Sequence, residues 1–318
     1  MRGVLIREWG GPEVLELADD LPEPEPGPGQ RRIRVTAAGV NFADTHAREN
    51  AYIAKYDLPL VPGTEVAGTL DDGTRVVAMP DHGGYAEIAV ADERSIFPLP
   101  DGLGDHEALA LLIQGLTAWH LYRTAAQLRP GETVVVHSAA GGTGSLALQL
   151  AGPMGAGRVI ASASSAEKRE LAARLGADAV IDSAPEDMTQ RLLDANDGNP
   201  VDVVFDMAGG KVFEQSAEAL APFGRIVVYG IATREQNDLR TGRLMRRSRG
   251  VIGFWLMHCL ERPETMMREP LRDLFERAAR GEIEPQLGNV YALSDVRRAH
   301  DDLVARRTTG KLVLDPHR

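Results

Sequence analysis

Residues 132–144, Glu-Thr-Val-Val-Val-His-Ser-Ala-Ala-Gly-Gly-Thr-Gly, set a β-branched run before a turn of small residues, and a helical pattern begins near Thr143. Strand, tight turn and helix N-terminus in this order suit a dinucleotide pyrophosphate. Small residues let the backbone approach the phosphates, and the helix end offers N–H groups and partial positive charge. In a G-x-G-x-x-G fingerprint the slots fall on Ala139, Gly141 and Gly144, with alanine in place of the first glycine. Such a turn is weak evidence alone; here the flanking strand and helix agree with it. Ala140, Gly141, Gly142, Thr143 and Gly144 are the residues expected at the cofactor.

The next strand is expected at Arg158–Ala163. NAD-binding units end this strand in an acid that holds the ribose hydroxyls, roughly 20 residues past the glycine turn. Ala163 stands there, followed by Ser164, Ser165 and Lys168, with no carboxylate before Glu167. An acid repels a 2′-phosphate, whereas hydroxyls and a cation bind it through charge-assisted hydrogen bonds. NADPH is therefore expected over NADH. Ser164 or Ser165 also suits a plain N-cap for a helix starting at Ala166, and the two roles are compatible.

The elements that position these residues alternate along the second part of the chain. A long helix is expected over 106–122, then strand 133–137, helix 143–151 stopped by Gly152-Pro153, strand 158–162 and helix 166–175. Strands at 179–181, 201–206, 224–229 and 250–254 follow, with helices at 186–195 and 211–220 between them. This alternation means an α/β doubly wound parallel sheet. The first hundred residues instead read as short strands at 4–7, 32–36, 65–70, 75–79 and 85–90, with a helix near Ala43–Arg48. A helix at Ser294–Arg306, capped by Ser294 or Asp295, separates strands at Val290-Tyr-Ala-Leu and Lys311-Leu-Val-Leu. These last strands are too short for their own sheet and are expected to rejoin the N-terminal unit.

A chain of 318 residues is too long for one ordinary core and fits two domains. The net charge of −11 argues against nucleic acid or an anionic membrane as main partner. Arg243-Leu-Met-Arg-Arg-Ser-Arg249 is the local exception, either a solvated helix face or a phosphate contact. The single cysteine, Cys259, excludes an intramolecular disulfide and a multi-cysteine zinc site. The N-terminus reads as a first strand and no run approaches 18 apolar residues, so a cytoplasmic protein without membrane spans is expected.

Several blocks resemble the medium-chain dehydrogenase/reductase superfamily, and within it the zinc-independent quinone oxidoreductases related to zeta-crystallin. Ala38-Gly-Val-Asn-Phe-Ala-Asp44 is similar to the family's Gly-Val-Asn-x-x-Asp turn, and Val61-Pro-Gly-Thr-Glu-Val-Ala-Gly68 to its Pro-Gly-x-Glu-x-x-Gly strand entry. Gly83-Gly-Tyr-Ala-Glu87, Gly115-Leu-Thr-Ala118, the Ala139–Gly144 turn, Leu175-Gly-Ala-Asp178 and Thr309-Gly-Lys-Leu-Val-Leu314 follow in the family's order. The resemblance implies a discontinuous GroES-like β-rich catalytic domain, residues 1–112 and 281–318, and a Rossmann NADP-binding domain, residues 113–280. Zinc-dependent relatives place a cysteine and a histidine where Asn41 and Thr64 stand here. An amide and a hydroxyl do not replace thiolate and imidazole on zinc, so no metal is expected. The segment Gly68–Arg75 is shorter than usual, and Ser183 replaces a tyrosine that contacts the 2′-phosphate in relatives.

The resemblance implies hydride transfer in which the organic chemistry is the cofactor's and the protein supplies position and field. Asn41 is expected beside nicotinamide and acceptor, its amide donating to a carbonyl or ribose hydroxyl; capping the helix near Ala43 is its other role. Asp44 and Tyr52 are the further catalytic candidates, against a first-turn acid and an exposed loop tyrosine. Thr117 is expected at the nicotinamide ribose or amide, or else has no special role. His46 and His137 are assigned nothing. Ala208, Gly230, Ile231, Phe254 and Leu256 lie where strands end, the ligand edge of an open parallel sheet, and the resemblance places Lys311 at the cofactor. Phe254 and Trp255 alternatively sit on an edge strand, Val251–Trp255, buried in a homodimer interface. The leading reading is an NADPH-dependent quinone reductase. Alternatives are an enone or alkenal reductase, an enoyl-thioester reductase using Arg243–Arg249, and a cofactor-bound regulatory or nucleic-acid-binding protein without turnover.

Overall fold

The computed structural model describes every residue except Tyr52. The chain divides into two compact units. One holds Met1–Ile113, Cys259–Arg280 and Pro285–Arg318; the other holds Gln114–His258 and Gly281–Glu284.

The second unit is built on a six-stranded parallel sheet. Its spatial order is Ala179–Asp182, Arg158–Ala163, Thr133–Val136, Val201–Asp206, Leu220–Val228 and Gly250–Gly253. In chain order this is 3-2-1-4-5-6, with the direction of winding reversing beside Thr133–Val136, where open α/β sheets bind ligands. Val134, Val135, Val136 and Val203–Phe205 are fully buried. Strands covered on both faces by helices need such continuous β-branched and aromatic runs. Each such side chain contributes about 1.5–3 kcal/mol of burial.

Two of the departures from the sequence expectation lie in the parallel-sheet unit, at the helix after its first strand and at its fifth strand. The helix after the glycine turn runs Gly142–Met154, through Pro153, and ends at Gly155 in the left-handed region, φ 99°. Gly152 carries no Cβ, so the residue before the proline escapes the usual clash, and Gly155 supplies the stop. The fifth strand begins at Leu220 rather than 224. Leu220 pairs with Val201, the register then shifts, and regular pairing resumes at Arg225.

The first unit is organised by one long strand, Gln30–Val40. Its first half pairs with Ile88–Asp92, its last residues with Lys311–Asp315, and Val66–Leu70 runs along the other edge. A register shift between Val35 and Ala37 bends the strand so that it serves both neighbours. Lys311–Asp315 therefore joins the N-terminal sheet, as its short length required. The segment Cys259–Arg280, which the resemblance groups with residues 113–280, clusters with this unit. Arg268 stacks over the Phe97 ring at 5.2 Å and donates to the Glu93 carbonyl.

Candidate functional site

The glycine turn reaches its shape through a residue the fingerprint does not name. Ser138 takes the left-handed conformation, φ 53°, so Ala139 is spared it and alanine replaces the first glycine without backbone strain. Ala139 is buried, and its N–H donates to the Ser162 carbonyl on the adjacent strand. A Cβ on Gly144 would collide with the Ser138 carbonyl and stand 2.8 Å from the Ala139 Cα, so glycine is required for the helix to approach the strand. No side chain caps the helix start at Gly141. The first-turn N–H groups of Gly142, Thr143 and Gly144 have no intrahelical acceptors.

The other candidates in this unit lie along the same carboxyl edge of the sheet. Ser138 Oγ reaches Met207 Sδ at 3.1 Å, and Gly230 packs against Met207. Thr233 ties its turn to Ala208 through both its N–H and its hydroxyl. Phe254 donates its N–H to the Val228 carbonyl and stacks on His120, one turn along the helix from Thr117. Ile231 and Leu256 flank these turns in the chain.

At the ends of Arg158–Ala163 and Ala179–Asp182, Ser183 N–H donates to the Ala163 carbonyl, which joins Ser183 to the Ser164–Lys168 turn. Ser165 caps the following helix by accepting from the Lys168 N–H at 3.3 Å. Sequence reasoning missed two arginines here. Arg169 donates to the Ala163 carbonyl and to Asp182 at 2.7 Å, and Arg191 approaches the same carboxylate. Asp182 is thus the carboxylate of this edge, held low by the Ala184 N–H and by Arg169.

Asp206 escaped the sequence reading, and His137, assigned no role there, is buried. Asp206 is fully buried and accepts from the N–H groups of Ala208 and Gly209. Burial raises its carboxyl to about 6. His137 lies between Ser162 Oγ (2.7 Å) and Ser216 Oγ (2.8 Å), and burial lowers it to about 4. It is a neutral core residue.

In the first unit Asn41 and Asp44 open the helix Phe42–Ala47 as a reciprocal cap. Asp44 Oδ2 accepts from the Asn41 N–H at 2.8 Å and from the Tyr85 hydroxyl at 2.7 Å. Burial raises Asp44 to about 6 and, with Asp44 beside it, holds Tyr85 well above the ordinary phenol range. His300 Nε2 lies 3.4 Å from that hydroxyl, and burial lowers the imidazole to about 3. Asn41 Nδ2 donates to Glu65 Oε2 at 3.0 Å, and Lys311 Nζ donates to Asn41 Oδ1 at 3.2 Å and to Glu65. Lys311, expected at the cofactor, has 0% exposure and its ammonium is taken up by Glu65 and Asn41. A buried ammonium requires such a counter-charge. Glu65, Tyr85 and His300 were not named from sequence; only the Glu of the Pro-Gly-x-Glu block and the Tyr of Gly-Gly-Tyr signalled two of them. Tyr52 lies outside the described residues.

Comparison with known proteins agrees with both units. The alcohol dehydrogenase GroES-like domain profile matches residues 27–101, and the zinc-binding dehydrogenase profile matches 142–274. The fold is thus that of a medium-chain dehydrogenase/reductase, a GroES-like unit with a Rossmann unit. The quinone oxidoreductase of Pseudomonas aeruginosa is 37% identical over 97% of both chains. The Escherichia coli quinone oxidoreductase, solved in complex with NADPH, superposes with a TM-score of 0.92 at 30% identity, covering 99% of this chain and 100% of that one. The Thermus thermophilus quinone oxidoreductase, also solved with NADPH, gives 0.86 at 38% identity with the same coverage. The chain belongs to the quinone oxidoreductase family of the medium-chain dehydrogenase/reductase superfamily, a family of oxidoreductases.

Proposed function

We propose that this protein is an NADPH-dependent, zinc-independent reductase that delivers hydride to a quinone. The observation that carries the reading is the carboxyl edge of the parallel sheet. An uncapped helix start follows a turn closed by Gly144, next to a strand end with hydroxyls and cations. Gly141–Gly144, with Ala140, would hold the pyrophosphate through backbone N–H groups. Ser164, Ser165, Lys168 and Ser183 would hold the 2′-phosphate, with Asp182 neutralised by Arg169 and Arg191. Thr117, Ala208, Gly230, Ile231, Phe254 and Leu256 would border the rest of the cofactor. The bound cofactor supplies the hydride, and Asn41 and Asp44 stand as the acceptor-side residues, with Tyr52 proposed beside them. Relatives solved with NADPH support the choice of cofactor.

Zinc does not fit the donor set. Asn41 and Thr64 offer an amide and a hydroxyl, and the carboxylate next to them, Glu65, is paired to an ammonium. Among the described residues no group of three or more His, Cys, Asp or Glu is arranged to hold a metal.

An enoyl-thioester acceptor with a phosphorylated carrier gains no support from the basic run. Arg249 binds the carbonyls of Ala217, Glu218 and Leu220, the far end of a helix that begins at the ligand edge, and Arg243 pairs with Glu218. An alkyl enone stays the competing acceptor. We also propose a homodimer through the edge strand near Val251–Trp255, since Gly250–Gly253 ends the sheet with one side unpaired. No described helix is long and apolar enough to cross a membrane.

The test is oxidation of NADPH and NADH by EDTA-treated protein with 9,10-phenanthrenequinone and an alkyl enone. NADPH-selective turnover of the quinone that survives the chelator is expected. Loss of turnover with EDTA would overturn the metal-free assignment, faster turnover of the enone would reassign the acceptor, and tight NADPH binding with no turnover would favour a regulatory protein.

A further inference from the structure

We propose that Glu65 and Lys311 are positioning residues for Asn41, fixing the orientation in which its side-chain amide meets an acceptor. The proposal rests on the reading that Asn41 borders the acceptor. An ammonium only donates and a carboxylate only accepts. Lys311 Nζ meets Asn41 Oδ1 at 3.2 Å, and Asn41 Nδ2 meets Glu65 Oε2 at 3.0 Å. Flipping the amide would set its N–H groups against the ammonium and its oxygen against the carboxylate. The orientation is therefore chemically determined, where an isolated asparagine amide has two near-equivalent settings.

The pair is itself held in place. Glu65 and Lys311 have 0% exposure, and Glu65 Oε1 accepts from the Ile113 N–H at 2.9 Å. The Asn41 backbone is fixed separately, by its N–H to Asp44. Lys311 lies in a strand whose next residue, Leu312, pairs with Val40. Gly39 leaves the space: a Cβ there would collide with the Glu65 carboxylate and stand 2.7 Å from Lys311 Nζ.

The consequence is electronic as well as geometric. The Glu65 carboxylate on Nδ2 weakens the amide as a donor, and the ammonium on Oδ1 opposes that by drawing electron density toward the oxygen, so loss of Lys311 leaves the weaker donor. In the proposed reaction the hydride carries both electrons from NADPH to the quinone, leaving negative charge on a quinone oxygen. One proton from solvent then completes the hydroquinone, and NADP⁺ leaves. A donor aimed where that charge develops lowers the barrier most.

The experiment compares Asn41→Ala, Lys311→Met and the double variant. Three quantities are read: kcat with 9,10-phenanthrenequinone, NADPH affinity by nicotinamide fluorescence, and the ¹⁵N side-chain amide signal of Asn41, identified by its loss in Asn41→Ala. Asn41→Ala is expected to lower kcat about a hundredfold and Lys311→Met about tenfold. The double variant should fall no further than Asn41→Ala, because Lys311 acts through Asn41. In Lys311→Met NADPH affinity should hold within about twofold and the Asn41 amide signal should shift. If Lys311→Met does not fold, Glu65→Gln, which keeps the shape and removes the charge, should shift the same signal. Multiplied kcat losses in the double variant, or an unmoved amide signal, would overturn the proposal. If the natural protein turns over no acceptor, the acceptor reading fails, and the amide signal still decides the positioning role.

Discussion

Lys311 and Glu65 meet across Gly39, on a strand where any side chain at that position would occupy the space of their charges. The Gly-Val-Asn block is thus physically tied to two residues far away in sequence. Gly39→Ala should displace the pair while removing no charge. Overpacking of this kind costs about 1–3 kcal/mol, so the thermal midpoint should fall by a few degrees and the Asn41 amide signal should move. A midpoint unchanged in a differential scanning experiment would contradict this account.

The proposed cofactor cradle depends on backbone approach at Gly144, where an added Cβ would stand 2.8 Å from the Ala139 Cα. Gly144→Val should push the helix start away from the strand and weaken NADPH binding about tenfold or more, with an overpacking cost of about 1–3 kcal/mol. Gly242→Ala, in the helix Thr241–Arg247 where a Cβ meets nothing within 4 Å, is the matched control. Fluorescence titration of both proteins checks the pair, and equal affinities would remove Gly144 from the cradle.

Local signals were legible where local physics decides. β-branched runs buried on both faces read directly as the parallel strands, and Thr133–Val136 before a small-residue turn marked the sheet edge proposed for the cofactor. The helix through Pro153 was not legible, because the stop comes from the left-handed Gly155 and not from the proline. The polar cluster was hidden for a different reason. Glu65 and Lys311 are 246 residues apart, joined by strand pairing that no local pattern announces. Arg169 and Arg191 carry no signal of their own in the sequence; only the fold brings both to Asp182.

Asp206 should make stability depend on pH in a direction opposite to the buried histidines. Its folded value, about 6, lies above the ordinary 3.8, so its contribution is fully present below about pH 4 and lost as pH rises through 6. That loss is on the order of 3 kcal/mol. Asp44 acts in the same direction. His137 and His300, lowered to about 4 and about 3, contribute stability above pH 6.5 that is lost on acidification. Between about pH 6 and 4 the two effects offset. Asp206→Asn removes one carboxylate, so its thermal midpoint should fall more steeply with acid over that range, and exceed the natural protein's by most at pH 8. Parallel profiles would show that Asp206 does not titrate in this window.

Cofactor choice should respond to Lys168 more than to its neighbour Ser165, whose hydroxyl is engaged as a helix cap. Lys168→Glu replaces a cation with an anion at the strand end where Ser164, Ser165 and Ser183 gather. NADPH affinity should fall about tenfold while NADH affinity stays within about twofold, since only the former carries the 2′-phosphate. Ser165→Ala should instead lower the thermal midpoint through a lost cap, about 1 kcal/mol, and weaken NADPH by less. Parallel titrations with the two cofactors separate these effects. Equal weakening of both would make Lys168 a structural residue. No change in either would shift 2′-phosphate recognition to Arg169, whose guanidinium already lies between Ala163 and Asp182.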